Sequence, residues 1–205
     1  MSILQNKNGE RFMERNSPDS QGYKLESQIR EAFGRVVYTQ TCHNKIVDRL
    51  YNIENAVKIS QIVLAAITTG SFLITIFSDE KISSIIGAVL SLLLLMLNTY
   101  IKSVPLLENA QKHQLAANML WRIREEYVSL LTDFEVLDIN TIMLKRDDLQ
   151  TRTADVYDNS LKTDSRSYKK AQKALKYNEE QTFSEDEIDI MLANSIRRKT
   201  RETKQ

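Results

Sequence analysis

Two stretches of the chain, Ile59 to Ser78 and Ile82 to Ile101, contain no Asp, Glu, Lys, Arg or His, and only Asp79, Glu80 and Lys81 lie between them. Each is 20 residues long, and at ~1.5 Å per helical residue each matches a hydrocarbon core of ~30 Å. No other segment is apolar enough to cover two such helices on every side, so the pattern predicts a transmembrane helical hairpin with a tight tip rather than two core helices of a soluble bundle. The far side of the membrane then receives almost no protein. Function is expected in the bilayer or on the side that holds both ends of the chain.

Outside the spans, apolar positions keep helical spacing. Before them come Ile29, Phe33, Val36, Gln40, His43, Val47, Leu50, Glu54 and Val57; after them come Leu106, Ala110, Ala117, Leu120, Arg124, Tyr127, Leu131 and Phe134, with Trp121 and Val128 beside these. The first arm is expected to run from Tyr23 through Lys58 into the membrane without a break. Two arms of matched reach on one hairpin should lie antiparallel against each other. Pro105, just past the membrane edge, removes one backbone bond and predicts a kink there, a candidate hinge. Further on, Asp138 or Asn140 can cap a helix reaching about Tyr157, with Ile142, Leu149, Val156 and Tyr157 as its apolar positions. Arg166 to Tyr177 reads as a short basic helix with Tyr168, Ala171 and Leu175 on its apolar side. Ser184 and Glu187 form a capping box ahead of Ile188, Met191, Leu192 and Ile196. A helix that short is expected to dock on the arms or on a neighbouring subunit.

The expected architecture is all-α: a lead-in over residues 1–22, a two-transmembrane helical domain over 23–159 with spans 59–78 and 82–101, and a C-terminal part over 160–205 holding a basic helix, a capped helix and a basic tail. Composition changes this picture little. Hydrophobic residues make up 42% and charged residues 27% of 205 positions, an average that hides the concentration of apolar residues in one fifth of the chain. Net charge is +1, which supplies no global field for nucleic acid. The single cysteine, Cys42, excludes an internal disulfide and a cysteine-based zinc site. Residues 1–20 have no apolar core of signal-peptide length, so the first span is expected to direct insertion. Lys45, Arg49 and Lys58 precede the spans and Lys102, Lys112 and Arg122 follow them, against Lys81 alone in the loop. Both termini are therefore expected in the cytoplasm.

No catalytic constellation is present: there is no phosphate loop, no nucleophile elbow, no paired metal-ligand spacing and only two histidines. The chain is read as a non-enzyme with no metal and no cofactor. His43 lies 16 positions before the first span and His113 lies 12 after the second, so paired arms bring them within about a turn of each other, as a proton switch or as ordinary interfacial histidines. The spans themselves have a polar side. Gln61, Ala65, Thr68, Ser71, Thr75 and Ser78 step by three or four along the first, and Ser84, Gly87, Ser91 and Asn98 mark the second. Small and hydroxyl-bearing residues serve either close helix packing or a wet lumen in an assembly of hairpins, and both readings stand. The absence of an ionisable group argues against a proton-coupled carrier. Lys169, Lys170, Lys173, Arg197, Arg198 and Lys199 are candidate contacts to acidic lipid; a nucleic-acid contact through them is disfavoured.

The two-span layout with a minimal loop, the returning segment Gln114-Leu-Ala-Ala-Asn-Met-Leu-Trp-Arg-Ile-Arg-Glu-Glu-Tyr127, and the downstream Leu149–Tyr157 and Phe183–Asp189 together resemble the SLATT domain. The downstream elements resemble those of its reverse-transcriptase-associated branch, and the likeness covers about residues 24–195. What the resemblance implies is a pore-forming or membrane-disrupting effector of a bacterial conflict system, in the inner membrane, causing leakage and growth arrest. It implies a trigger from a separate sensor, nucleotide-generating or reverse-transcriptase-type partner. Homo-oligomers in contact with membrane lipid are expected, with Thr68, Ser71, Thr75, Ser91 and Asn98 around the leak. The rival expectation is a non-conducting membrane tether that recruits another protein through its arms.

Overall fold

The computed structural model of the chain describes residues 18–78, 81–193 and 195–197; the expectations for residues 1–17, for the Asp79–Glu80 tip, and for Arg198 and Lys199 lie outside them. All regular structure among the described residues is α-helical, in six helices: α1 (Pro18–Ser78), α2 (Lys81–Ser103), α3 (Leu106–Thr132), α4 (Ile139–Asn159), α5 (Ser165–Lys176) and α6 (Glu185–Met191).

The first helix, α1, is continuous for 61 residues, ~90 Å at 1.5 Å per residue. Pro18 opens it, a position where the missing amide hydrogen costs nothing, so residues 18–22 of the expected lead-in are helical. Its N-terminal half packs along α3, and α4 packs on α3 and α1. Leu25, Ile29, Ala32 and Val36 of α1 meet Ala116, Leu120, Ile123, Tyr127 and Leu130 of α3 and Ile142, Leu149 and Val156 of α4 in one core. Leu120 is wholly buried there, and truncating such a leucine to alanine costs about 2–5 kcal/mol.

The second arm was read as having one partner, and it has two. Leu106, Ala110, Ala117, Leu120 and Tyr127 are buried as expected, Arg124, Leu131 and Phe134 are half-buried, and Trp121 and Val128 face outward. The buried arc is wider and turned toward Ala116, Ile123 and Leu130 because α4 covers that flank. The fourth helix matches its reading closely. Asp138 Oδ1 accepts the Thr141 amide at 3.0 Å, and Ile142, Leu149 and Val156, seven apart, form its buried edge. Tyr157 is exposed instead, its hydroxyl 3.2 Å from that of Thr39.

At Pro105 the chain breaks completely rather than kinking: α2 ends at Ser103 and α3 begins at Leu106. The Leu106 amide, which a continuous helix would send four residues back, donates to the Val104 carbonyl at 2.8 Å. Beyond α4, Asp164 and Ser167 form a reciprocal cap on α5, which lays Ser167, Ala171 and Ala174 on α1. Small residues bring it close; Tyr168, expected on this side, remains half exposed and stacks on Tyr38 with ring centroids 5.8 Å apart. The Ser184–Glu187 capping box is present, yet α6 buries none of its residues.

Candidate functional site

The apolar part of α1 and α2 lie side by side and antiparallel, with Gln61 Nε2 donating to Asn98 Oδ1 at 2.6 Å and the Thr75 and Ser83 hydroxyls 3.1 Å apart. The seam uses the polar stripe of the first span. Gln61, Leu64, Thr68, Gly70, Ser71 and Thr75 are the less exposed positions of α1 here, and Ser83, Gly87, Leu90, Leu94 and Leu97 are those of α2. Gly87 is the close approach: a Cβ there would meet Ser71 Cβ at 3.6 Å. Most hydroxyls are satisfied within their own helix, Thr68 on the Leu64 carbonyl at 2.8 Å and Ser71 on that of Ile67 at 3.0 Å. The second span divides its polar residues. Gly87 enters the seam, whereas Ser84, Ser91 and Asn98 form an exposed row at seven-residue spacing, with Asn98 also reaching Gln61 and Ser84 reaching Thr75.

Below the spans, the arms enclose a polar node. His43 of α1 and His113 of α3 are both buried, their Nδ1 atoms 2.8 Å apart and their rings 5.0 Å between centroids. One Nδ1 must carry hydrogen and the other must offer its lone pair, so this geometry excludes two cations. Burial, and then the neighbouring ring of His113, holds His43 down at about 4. Burial and Arg49 lower His113, against which Asp164 pulls upward. Asp164 in turn is bound by Arg49 at 2.6 Å and by the Ser167 amide, which depress its carboxyl to about 2. Cys42 sits beside the node; burial raises its thiol while Ser167 works the other way. The sequence spacing anticipated the histidine meeting, but nothing in it singled out Arg49, Asp164 and Ser167. Their roles follow from where α5 lands, a tertiary fact with no local signal.

A second polar patch lies one turn away. Gln181, beyond the end of α5, accepts from Arg124 Nη1 and donates to Thr41 Oγ1 at 2.9 Å, while Glu180 pairs with Lys45 at 2.6 Å. These ties lock the chain that follows α5 against both arms. The outer face of α5 carries Arg166, Lys169, Lys170, Lys173 and Lys176, all exposed, and none is in an ion pair among the described residues. Arg197, the remaining described member of the basic candidates, donates to the carbonyls of Leu192 and Ile190 at 2.9 and 3.1 Å.

No group of three or more metal-ligating side chains converges among the described residues. Two helices are long and apolar enough to cross a membrane, and their most apolar windows contain no buried residue. No curated protein and no solved structure matches the chain. Residues 25–187, from the first core leucine of α1 through the capped start of α6, match the SMODS and SLOG-associating 2TM effector domain family 4, and the chain belongs to that family of two-transmembrane effector domains.

Proposed function

We propose that the chain is a membrane effector whose α1 and α2 cross the bacterial inner membrane as a hairpin, with both termini cytoplasmic, and whose copies assemble to make the membrane leak. One observation carries the reading. Ile62, Phe72, Ile76, Ile82, Ile85, Leu95 and Met96 are all more than half exposed, whereas α3 and α4 beneath them are packed normally. Leaving such side chains in water forfeits about 1.5–3 kcal/mol each, and a bilayer or neighbouring spans remove that cost. Because Thr68, Ser71 and Thr75 face α2 within one copy, the exposed polar row that can face a lumen or another copy is Ser84, Ser91 and Asn98, of which Ser84 and Asn98 also bond to Thr75 and Gln61. A separate sensor, nucleotide-generating or reverse-transcriptase-type protein supplies the trigger.

The test is dye uptake and membrane potential in bacteria expressing the chain. Ser84→Leu/Ser91→Leu should insert at wild-type levels and leak much less. Unchanged uptake in that variant removes the lumen assignment. The internal use of the first polar stripe favours one rival, a non-conducting tether that recruits a protein through its arms. Planar-bilayer recording separates the two: silence in every assembly state establishes the tether.

A further inference from the structure

The outer face of α5 concentrates positive charge and ends on an exposed ring. Five cations and no carboxylate stand within its 12 residues, and none of the five is in an ion pair among the described residues. Asp164 and Glu180, at the two ends of the helix, are taken up by Arg49 and Lys45. Arg166, Lys170, Lys173 and Tyr177 follow one another at spacings of four and three, so they form a single ridge, and Lys169 and Lys176 flank it. The ridge is turned away from Ser167, Ala171 and Ala174, which are buried on α1. Tyr177 caps the helix with right-handed helical backbone angles and is 76% exposed, which keeps its ring in the same row. Between Arg166, Lys169, Lys170 and Lys173 lies an open hollow of about 390 Å³.

Acidic lipid, the expected partner of Lys169, Lys170 and Lys173, is out of their reach under the proposed topology. Asp164, which caps α5, is held by Arg49, ten residues before Ile59, and Tyr168 stacks on Tyr38, twenty-one residues before it. At ~1.5 Å per residue these anchors lie ~15 and ~30 Å below the hydrocarbon edge. The headgroup layer is only about 5–7 Å thick on each side, and at physiological salt a charge is screened within ~8 Å. The cations therefore face water at the side of the stalk. An acidic protein surface is the poorer fit of the two polyanions left, because the ridge offers no aliphatic side chain to anchor the core of an interface. A single nucleic-acid strand uses what is there: fixed charge for its phosphates and an aromatic face for an unpaired base. From Arg166 to Tyr177 is ~17 Å of helix, and at ~3.4 Å per charge along one strand that is the length of about five phosphates.

We infer that the outer face of α5 binds single-stranded nucleic acid, its five cations along the phosphates and the Tyr177 ring stacked on a base. Four of the five are lysines, which act on phosphate as point charges, and stacking accepts every base, so the contact tolerates any sequence. The net charge of +1 does not oppose this, because the charge that matters is gathered on one helix face. The inference goes beyond the proposed function and rests on it only for the orientation of the stalk, which removes lipid as the occupant.

The test is fluorescence anisotropy of labelled oligo(dT), about 20 nucleotides long so that it exceeds one site, with the full-length chain in dodecyl maltoside. Affinity should fall as salt rises, with a slope of log K on log salt of about −3.5 for five phosphates at ~0.7 each. Lys169→Gln/Lys170→Gln/Lys173→Gln should bind at least tenfold more weakly and lose about 2 from that slope. Tyr177→Ala should bind about fivefold more weakly or worse, with the slope unchanged. Circular dichroism and thermal unfolding, unchanged in both variants, show that α5 stays folded on α1. Wild-type affinity or an unchanged slope in the triple variant overturns the inference, as does indifference to Tyr177→Ala. So does equal affinity for polyglutamate or for a duplex of the same length, and so does displacement of oligo(dT) by a few phosphatidylglycerol molecules per micelle. Detergent removes the bilayer, so this binding is read whatever the topology. A chain that binds oligo(dT) but never leaks leaves the contact standing and removes the proposed function; a leaking chain that ignores oligo(dT) does the reverse.

Discussion

Acidification should loosen the arms through His43 and His113, and the size of the effect follows from their burial. The His43 imidazole, 1% exposed, stays neutral in the folded chain down to about 4, whereas an unfolded histidine takes its proton near 6.5. The unfolded chain therefore binds the extra proton between those values, so stability is complete above the upper one and declines as pH falls toward the lower. Linkage at ~1.4 kcal/mol per unit gives a loss of about 2 kcal/mol between about pH 7 and about pH 5. For a domain of this size that is roughly a 4–8 °C fall in Tm. The control is His43→Leu/His113→Leu, which keeps an apolar contact and removes both titrations; its Tm should be much flatter over the same interval. His113→Leu alone strands the His43 Nδ1 in the core and should cost about 1–3 kcal/mol at neutral pH. Thermal unfolding followed by circular dichroism in neutral detergent reads all three. Equal losses in wild type and double variant would refute the assignment of the acid response to this pair.

Asp164→Ala removes both the α5 cap and the partly exposed Arg49 pair, so a loss of about 1–2 kcal/mol is expected, read as faster tryptic cleavage at Lys169 and Lys173. The carboxyl is depressed to about 2 from 3.8, so its contribution is complete above the ordinary value and disappears as pH falls through the folded one. The variant should accordingly be less acid-sensitive only below about pH 4, and imidazole NMR should show His113 titrating lower than in wild type, since Asp164 raises it. In the span seam, Gly87→Ala should be accepted, because its Cβ makes an ordinary contact with Ser71, while Gly87→Phe should abolish disulfide trapping between Thr75→Cys and Ser83→Cys. Asn98→Leu, which breaks the bond to Gln61, should cost about 0.6–2 kcal/mol and leave trapping reduced but present.

How far the chain could be read depended on whether a residue's role is set by its own helix or by a distant one. The Asp138 and Ser184 caps and the Ile142–Leu149–Val156 edge are local patterns, and each lies where spacing and capping chemistry put it; the two apolar runs are local patterns too, and both are helical. Trp121 was misplaced because an apolar residue beside a stripe looks buried until the number of neighbours is known; α3 has two, and both lie on its other side. Tyr168 is expected with Ala171 and Leu175 on the apolar side of α5, yet Ser167, Ala171 and Ala174 are the buried positions and Tyr168 meets α1 only at the edge, stacked on Tyr38. The polar stripes admitted two uses from periodicity alone. The contacts within one copy engage Gln61, Thr68, Ser71, Thr75 and Gly87 and also reach Asn98 and Ser84, so of the exposed row only Ser91 has no use in the seam, a distinction that periodicity could not have drawn.

The two strands of this molecule differ in how they carry a displacement between node and membrane. Eighteen positions of α1 separate Gln61 from His43, and fifteen positions of the returning strand separate their partners Asn98 and His113. The shorter of the two paths contains the Pro105 break, where α2 stops and α3 starts. One strand is a continuous rod, and the other is two rods joined at a tight turn, where Pro105, at φ −77° and ψ 63°, lets the Leu106 amide reach the Val104 carbonyl. A force that parts His43 from His113, such as protonation of the pair, should be carried along the continuous α1. On the other strand it is absorbed at Pro105, so α2 can keep its seam with α1 while α3 swings. The break should thus spare the polar contacts between the spans from events at the stalk, with α3 and α4 as the moving part, since α5 is packed on α1. Stiffening the link should therefore couple stalk and spans more tightly. Pro105→Ala with Val104→Ala, which permits a continuous helix, should make disulfide trapping of the seam sensitive to the same acid interval that loosens the histidine pair; trapping that stays indifferent to pH would show that the spans never feel the stalk.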